Sequence, residues 1–245
     1  DNYKQVFENK AFWLAAGNTA KFVLVCLPLL IGLGLIIACF LSRFTRVHFL
    51  KSAFLFPMAV PAATVVLVWK LIFDRQGFLN LFLTRLGEAA YSAGVLQSAP
   101  VFDIDYMGTG AAFWVLVFSY IWKNLGYTVV LWLTGILSIS TQIREAARVD
   151  GAGEFTCFVR IIMPNLKPVL YTITVLSFLN TFKAFREAYL VAGSYPDESM
   201  YLLQHLFNNW FTNLDFDKMA AAAVILGFIL FAAILLLQKL WDEGE

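Results

Sequence analysis

The chain has 245 residues, of which 60% are hydrophobic and 14% charged, with a formal net charge of +1 and a mean hydropathy of +0.72. A soluble domain of this length needs a more charged surface, so the composition excludes an ordinary soluble protein and indicates an integral membrane protein. The near-zero net charge argues against an acidic partner or nucleic acid. The three cysteines are scattered, which favours packing over a disulfide or metal framework.

Five long apolar segments follow one another along the chain. The first runs from Phe22 to Leu41 without a charge. At about 1.5 Å per residue it spans roughly 30 Å, the thickness of a bilayer's hydrocarbon core. Only helices satisfy their own backbone hydrogen bonds over such lengths in lipid, so one all-α transmembrane domain over residues 1–245 is predicted. The expected spans cover about 22–42, 52–73, 110–137, 168–192 and 219–240.

Basic residues in short loops predict the orientation of the spans. The 43–51 loop carries Arg43, Arg46 and Lys51 and no acidic residue, so it is expected to be cytoplasmic. Alternation then places the long loops 74–109 and 193–218 outside and the C-terminus in the cytoplasm. The same alternation puts residues 1–20 outside, although they contain no secretion signal. A further span before Asp1, making six in the native chain, is therefore expected.

A compact charged segment interrupts the apolar chain between the third and fourth spans. It begins with a predicted helix over 142–149, which Thr141 is expected to cap. Asp150-Gly151 and Gly153 then predict a sharp turn. A second helix is expected to follow and to end at Pro164, while Pro168 opens the next span. Its apolar residues recur at the spacing of one helix face: Phe155, Phe158, Val159 and Ile162.

This helix–turn–helix segment has two interpretations from its residues alone. It can be an interfacial linker that lies on the membrane surface. It can also dock a soluble partner, because Ala146 and Ala147 permit close approach while Glu145 and Asp150 offer carboxylates. For Asp150 a local role, capping the second helix, also remains open.

The stretch "EAARVDGAGEFTCFVRIIMP" resembles the EAA loop of ABC importer permeases, and in particular that of the carbohydrate-uptake branch, of the maltose-transporter large-permease type. The closing pair Met163-Pro164 stands where the family has Leu-Pro, and "AGSYPD" replaces a glycine-rich turn after the fourth span. Other stretches agree with the branch, among them "FLFPMAVPAATVVLVWKLIF" and "YIWKNLGY". The residues to which the resemblance assigns ATPase coupling, within the loop 141–165, are Glu145, Ala146, Ala147, Asp150, Gly151, Ile161 and Pro164.

The resemblance implies a type I ABC importer permease fold in a bacterial or archaeal cell membrane. Its implied partners are a second homologous permease, two cytoplasmic ATPase subunits, an extracytoplasmic solute-binding protein and a sugar. No glycine is followed by lysine in this chain, so a Walker A loop is absent. The chain is therefore expected to be no enzyme and to hold no cofactor, ATP and magnesium being bound by the partner ATPase.

A solute site is predicted where polar residues fall near the middle of the third and fourth spans. Polar groups are costly there unless they pair or line a wet cavity. In relatives of the maltose-transporter type, the matching stretches line the sugar pocket. The alternative is that these residues hold helices together. The candidate residues are Asn124, Gly126, Tyr127, Ser177, Asn180 and Thr181.

Other classes fit the sequence less well. A secondary transporter usually carries acidic residues within its spans, and the uncharged core of each predicted span has none. An intramembrane enzyme needs a catalytic pair or metal cluster in a span, and both histidines, His48 and His205, fall in predicted loops. An ABC permease for a non-sugar solute remains as an alternative.

Overall fold

The computed structural model describes residues 2–44 and 47–242, which are helical apart from their connections. Arg46, one of the residues on which the orientation was predicted, lies outside this range. The helices are α1 (Asn2–Glu8), α2 (Lys10–Leu41), α3 (Val47–Ala59), α4 (Ala62–Phe73), α5 (Phe78–Ser92), α6 (Ala111–Ser138), α7 (Thr141–Val149), α8 (Glu154–Cys157), α9 (Met163–Asn165), α10 (Lys167–Thr181), α11 (Phe185–Ala192), α12 (Leu203–Thr212) and α13 (Phe216–Asp242).

Within the described residues, three helices are long and apolar enough to cross a membrane, and the number rises to five if each of two broken helix pairs forms one span. The three are Lys10–Leu41, Ala111–Ser138 and Phe216–Lys239. The first begins well before the expected residue 22. Residues 10–21 are rich in alanine and lack proline, so nothing in the local sequence ends the helix there.

The segment expected as a continuous span over 52–73 is broken. Helix α3 ends at Ala59 and α4 begins at Ala62, with Pro61 in an extended conformation (φ −57°, ψ 139°). Proline lacks an N–H and disfavours helical geometry in the residue before it, which explains the break at Val60-Pro61. Pro57, by contrast, lies inside α3.

The first of two compact units comprises the described residues within 1–22, 60–119 and 182–225. Its two expected loops contain helices: α5 lies within 74–109 and α12 within 193–218. Helix α12 packs against the first part of α2, where Thr19 Oγ1 accepts a hydrogen bond from Leu203 N (3.0 Å). Phe22 and Phe113 pack edge to face with ring centroids 6.5 Å apart, which joins α2 to α6 in this unit's core.

The second unit comprises the described residues within 23–59, 120–181 and 226–245. Its core centres on Trp132, which is fully buried and donates a hydrogen bond from Nε1 to Ile31 O (3.1 Å). Small residues allow close packing around it. An added Cβ at Gly34 would lie 2.6 Å from Thr128 Oγ1, and one at Gly135 would lie 2.8 Å from a Val169 methyl group. Glycines at such contacts are typical of helix packing in membranes.

Candidate functional site

The first helix of the predicted partner-binding segment is present as α7. Ser140, rather than Thr141, provides the N-terminal cap, because its Oγ accepts a hydrogen bond from Gln142 N (3.2 Å) while Thr141 is already helical. Ala147 is buried, whereas Glu145 and Ala146 are exposed. One side of the Glu-Ala-Ala triplet therefore packs inward and the other faces outward.

The turn after α7 has the geometry that its glycine predicts. Gly151 has φ +82°, in the left-handed region that favours glycine. Ala152 N donates to Ala147 O (2.9 Å) across this residue, the six-to-one hydrogen bond of a Schellman motif. A side chain at Gly151 would have open space, so the constraint there is conformational rather than steric.

The second part of the segment is helical from 154 to 165 but irregular in the middle. A π-helical turn, Phe158–Ile162, separates α8 from α9. Pro164, expected to end the helix, lies at the second position of α9, which continues to Asn165. Ile161 is half-buried and Pro164 exposed.

The four apolar residues expected to share one face of this second part differ in their exposure. Phe155 is 79% exposed and Val159 45% exposed, whereas Phe158 and Ile162 are half-buried. Cys157, which lies outside the expected face, is buried and only 6% exposed. The segment therefore presents apolar side chains on its surface as well as charged ones.

The two carboxylates proposed for docking are exposed. Glu145 and Asp150 make no ion pair or hydrogen bond with the side chains that the structure describes, which exclude those of Arg144 and Arg148. Gly153, in an extended conformation, occupies the capping position of α8, so Asp150 does not cap the second helix.

Hydrogen bonds to Ser177 link the third and fourth apolar segments at the predicted solute site. The Tyr127 hydroxyl lies 2.6 Å from Ser177 Oγ. Tyr120 donates to Ser177 O (3.4 Å). Ser177 is fully buried and Tyr127 half-buried, so the serine holds α6 to α10 while the tyrosine ring stays partly accessible.

Two other candidates bond within their own helices. Asn124 Nδ2 donates to Tyr120 O (2.9 Å), and Thr181 Oγ1 donates to Phe178 O (2.6 Å). Thr181 is buried, whereas Asn124 and Asn180 are half-buried. Of the six predicted residues, the accessible polar ones are therefore Asn124, Tyr127 and Asn180.

Gly126 has a different role from the one expected. It was expected to line the solute site, but its Cα faces the backbone of Phe54, and an added Cβ would collide with the Phe54 carbonyl. The glycine therefore permits close packing of α6 against α3. The backbone of Phe54 fills the space that the missing side chain of Gly126 leaves.

Sequence reasoning missed a cavity of about 610 Å³ between the start of α4 and α11. Its polar lining includes Arg186, with the aromatic residues Phe185 and Tyr189. An arginine inside an expected span was the available signal, since such residues are rare in lipid and usually functional.

Comparison with known proteins identifies a family and several relatives. The family model for the binding-protein-dependent transport system inner membrane component matches residues 30–242. The trehalose/maltose transport system permease protein of Thermococcus litoralis is 30% identical over 232 residues, which cover 94% of this chain and 74% of the relative. The diacetylchitobiose uptake system permease protein of Streptomyces coelicolor is 29% identical and covers 94% and 69%, respectively.

Solved structures share the fold. A chain in the crystal structure of a bacterial ABC transporter involved in the import of the acidic polysaccharide alginate superimposes with a TM-score of 0.80 at 18% identity, over 99% of this chain and 83% of that one. A second structure, of a bacterial alginate ABC transporter in complex with a pentasaccharide-bound periplasmic protein, gives a TM-score of 0.81 at 18% identity, over 97% and 80%.

Proposed function

The chain belongs to the family of binding-protein-dependent transport system inner membrane components, and on that premise we propose that it is a permease subunit through which an ABC importer takes up a carbohydrate. Its relatives named above are permeases for trehalose/maltose and diacetylchitobiose, and the solved structures concern alginate. All of these are carbohydrates, both neutral and acidic, which supports the solute class but leaves the particular sugar open. A non-sugar solute is the alternative.

The partners follow from this function. The complex comprises a second homologous permease, two cytoplasmic ATPase subunits that bind ATP and magnesium, and an extracytoplasmic binding protein that delivers the solute. The five expected spans place the 141–165 segment and the C-terminus in the cytoplasm. Closure of the ATPase subunits on ATP moves both permeases between inward-open and outward-open states.

The observation that carries the coupling proposal is the glycine-dependent turn between α7 and α8. The left-handed Gly151 ends α7 next to the exposed carboxylate of Asp150, and Glu145 is exposed five residues before Asp150. Carboxylates in this position can form charge-assisted hydrogen bonds with basic groups of an ATPase groove. Exposed Phe155 adds an apolar contact for the same partner.

The solute proposal places the sugar beside the accessible polar groups of Asn124, Tyr127 and Asn180. Their amide and hydroxyl groups suit sugar hydroxyls, and the tyrosine ring suits the apolar face of a sugar. Ser177 and Gly126 support this site by holding the helices in place, and the buried Thr181 bonds within its own helix rather than contacting the solute. Helix packing without solute contact remains the alternative for the accessible groups as well.

Purification through a tag on this chain tests the assignment. We expect a partner ATPase to co-purify, and its ATP hydrolysis to rise when the solute-loaded binding protein is added. A screen of neutral and acidic sugars for a rise in the melting temperature of the binding protein identifies the solute. A chain that purifies without an ATPase and transports in response to a proton or sodium gradient would be a secondary transporter instead.

A further inference from the structure

We propose that the cavity between α4 and α11 binds an anionic sugar, whose carboxylate or phosphate pairs with Arg186. This inference rests on the proposed function and specifies its substrate class. The cavity has a volume of about 610 Å³, within the roughly 300–1,000 Å³ typical of small-molecule sites. Its lining residues are Pro61, Ala62, Ala63, Phe185, Arg186, Tyr189 and Leu190.

The break in the second apolar segment helps to create this cavity. Helix α4 packs against α11, and its first residues, Ala62 and Ala63, have the smallest side chains that keep a helix regular. Pro61, which also lines the cavity, lies at the break between the preceding helical run and α4. Small side chains on one wall leave room opposite the large ones on α11.

The residues of α11 that line the cavity include a cation, Arg186, and two aromatic rings, those of Phe185 and Tyr189. Phe185 and Tyr189 lie one helical turn apart, with ring centroids separated by 5.3 Å and ring planes tilted by 49°. The buried His205 holds Phe185 in place, because the two rings pack edge to face with their centroids 4.8 Å apart. Two half-buried rings offer apolar surface to the C–H face of a sugar, while the neighbouring guanidinium determines which charge is accepted.

Arg186 is available for a ligand. Its side chain is exposed and makes no ion pair with a carboxylate of the described residues. A cation within an apolar segment is costly unless it pairs or faces water, so a wet cavity accounts for its position and leaves the guanidinium open to an anionic group. Guanidinium groups bind carboxylates and phosphates through two parallel hydrogen bonds, a geometry that lysine does not reproduce.

Simple probes distinguish a sugar carboxylate, a sugar phosphate and an anionic lipid as the ligand of Arg186. Binding of digalacturonate, glucose 6-phosphate and maltose to the purified complete complex is measured by isothermal titration or thermal shift, independently of transport. Two variants change the proposed contact: Arg186→Gln removes the charge, and Arg186→Lys keeps the charge but cannot form the two parallel hydrogen bonds of a guanidinium. Arg85→Gln is the matched control, a charge loss at an exposed position on α5.

We expect the wild type and Arg85→Gln to bind at least one of the two anionic sugars. Arg186→Gln should weaken that binding by about tenfold or more, the loss that a charge-assisted hydrogen bond predicts. The affinity of Arg186→Lys for the anionic sugar should fall between that of the wild type and that of Arg186→Gln. Maltose binding should not depend on residue 186. The anionic sugar that responds identifies a carboxylate or a phosphate as the recognised group.

Three results would overturn the inference. The first is unchanged binding of both anionic sugars in Arg186→Gln. The second is a wild-type complex that binds neither of them. The third is a loss of co-purified anionic lipid in Arg186→Gln without any change in sugar binding, which would assign the cavity to a lipid headgroup. Under the second result, binding of maltose would leave carbohydrate import intact. ATP hydrolysis that no binding protein stimulates would count against the proposed function instead.

Discussion

The hydroxyl of Tyr127 lies 2.6 Å from Oγ of Ser177 and joins α6 to α10 across 50 residues of sequence. The two partners differ in exposure, since Ser177 is fully buried and Tyr127 is half-buried. This asymmetry gives each residue a separate expected role. The serine positions the helices, and the tyrosine is also able to contact the solute.

Replacement of these residues should therefore have different effects. Ser177→Ala is expected to lower the stability of the complex by roughly 0.5–1 kcal/mol, because a buried interhelical hydrogen bond is lost, and to leave solute affinity nearly unchanged. Tyr127→Ala and Asn180→Ala should lower uptake or change sugar preference in a complex that still hydrolyses ATP. Melting temperature, uptake and ATPase activity are measured for each variant.

Thr172→Ala is the control for hydroxyl removal on the same helix, because Thr172 is exposed and bonds only its own helix at Pro168 O (3.0 Å). Wild-type uptake kinetics in both Tyr127→Ala and Asn180→Ala would rule out the proposed solute site.

The left-handed conformation of Gly151 predicts a position-specific effect on coupling. Gly151→Ala should strain the end of α7 by about 1–2 kcal/mol, because a Cβ disfavours positive φ. Gly151→Leu should abolish uptake and uncouple or release the ATPase while membrane insertion persists. ATPase activity stimulated by the binding protein is the measurement.

Gly153 provides a matched control two residues away. Its φ is −67°, and an added Cβ there would also meet open space, so Gly153→Ala should be tolerated. Equal coupling in Gly151→Leu and the wild type would contradict the proposed role of the turn.

His205 predicts a pH dependence in the first unit. Burial lowers the pKa of His205 to about 4, and its Nδ1 accepts a hydrogen bond from Leu202 N (3.1 Å), so the folded state requires the neutral ring. Phe185 and Tyr201 pack against this ring, and neither offers a negative charge to stabilise a proton on it. Protonation is therefore more favourable in the unfolded chain, whose histidine has a pKa near 6.5.

The stability contributed by neutral His205 is fully present above about pH 6.5 and is lost as the pH falls towards 4. At pH 5 the loss should be about 2 kcal/mol. Melting temperature against pH should show this decline in the wild type and in His48→Gln, which keeps the buried ring, but less of it in His205→Gln. An equal decline in all three proteins would assign the pH dependence to other groups.

Leu214 predicts a stabilising substitution. It has φ +61° and is 73% exposed, at the end of α12, where Asp215 N donates to Trp210 O (2.8 Å) in a second Schellman-type turn. Leu214→Gly should relieve about 1 kcal/mol of backbone strain and raise the melting temperature. Leu214→Ala keeps the Cβ and should give no such gain. A lower melting temperature in the glycine variant would show that the leucine side chain contributes more than its strain costs.

Local signals in the sequence predicted several elements well. The uninterrupted apolar residues after Lys21 predicted the membrane part of α2, and Asp150-Gly151 predicted the turn that Gly151 makes. The family resemblance carried by Glu145, Ala146 and Ala147 is confirmed by the family match over residues 30–242. These features depend on residues that are close in sequence.

Features that depend on distant packing were not predicted. The packing of α12 through Leu203 and Thr19 depends on a contact across 184 residues, so Leu203–Thr212 was interpreted as a loop. The contact of Gly126 with Phe54 depends on how two helices approach each other, which spacing within one helix does not determine. The break at Pro61 was available in the sequence, but Pro57 shows that a proline does not always end a helix.

Solute uptake by the complete complex in proteoliposomes tests the central claim most directly. ATP is enclosed in the lumen, the binding protein is added outside, and the sugar is the one that raises the binding protein's melting temperature. We predict uptake that requires both the ATP and the binding protein and that persists when a protonophore collapses the proton gradient. Uptake without ATP or binding protein that the protonophore abolishes would contradict the assignment of this chain as an ABC importer permease.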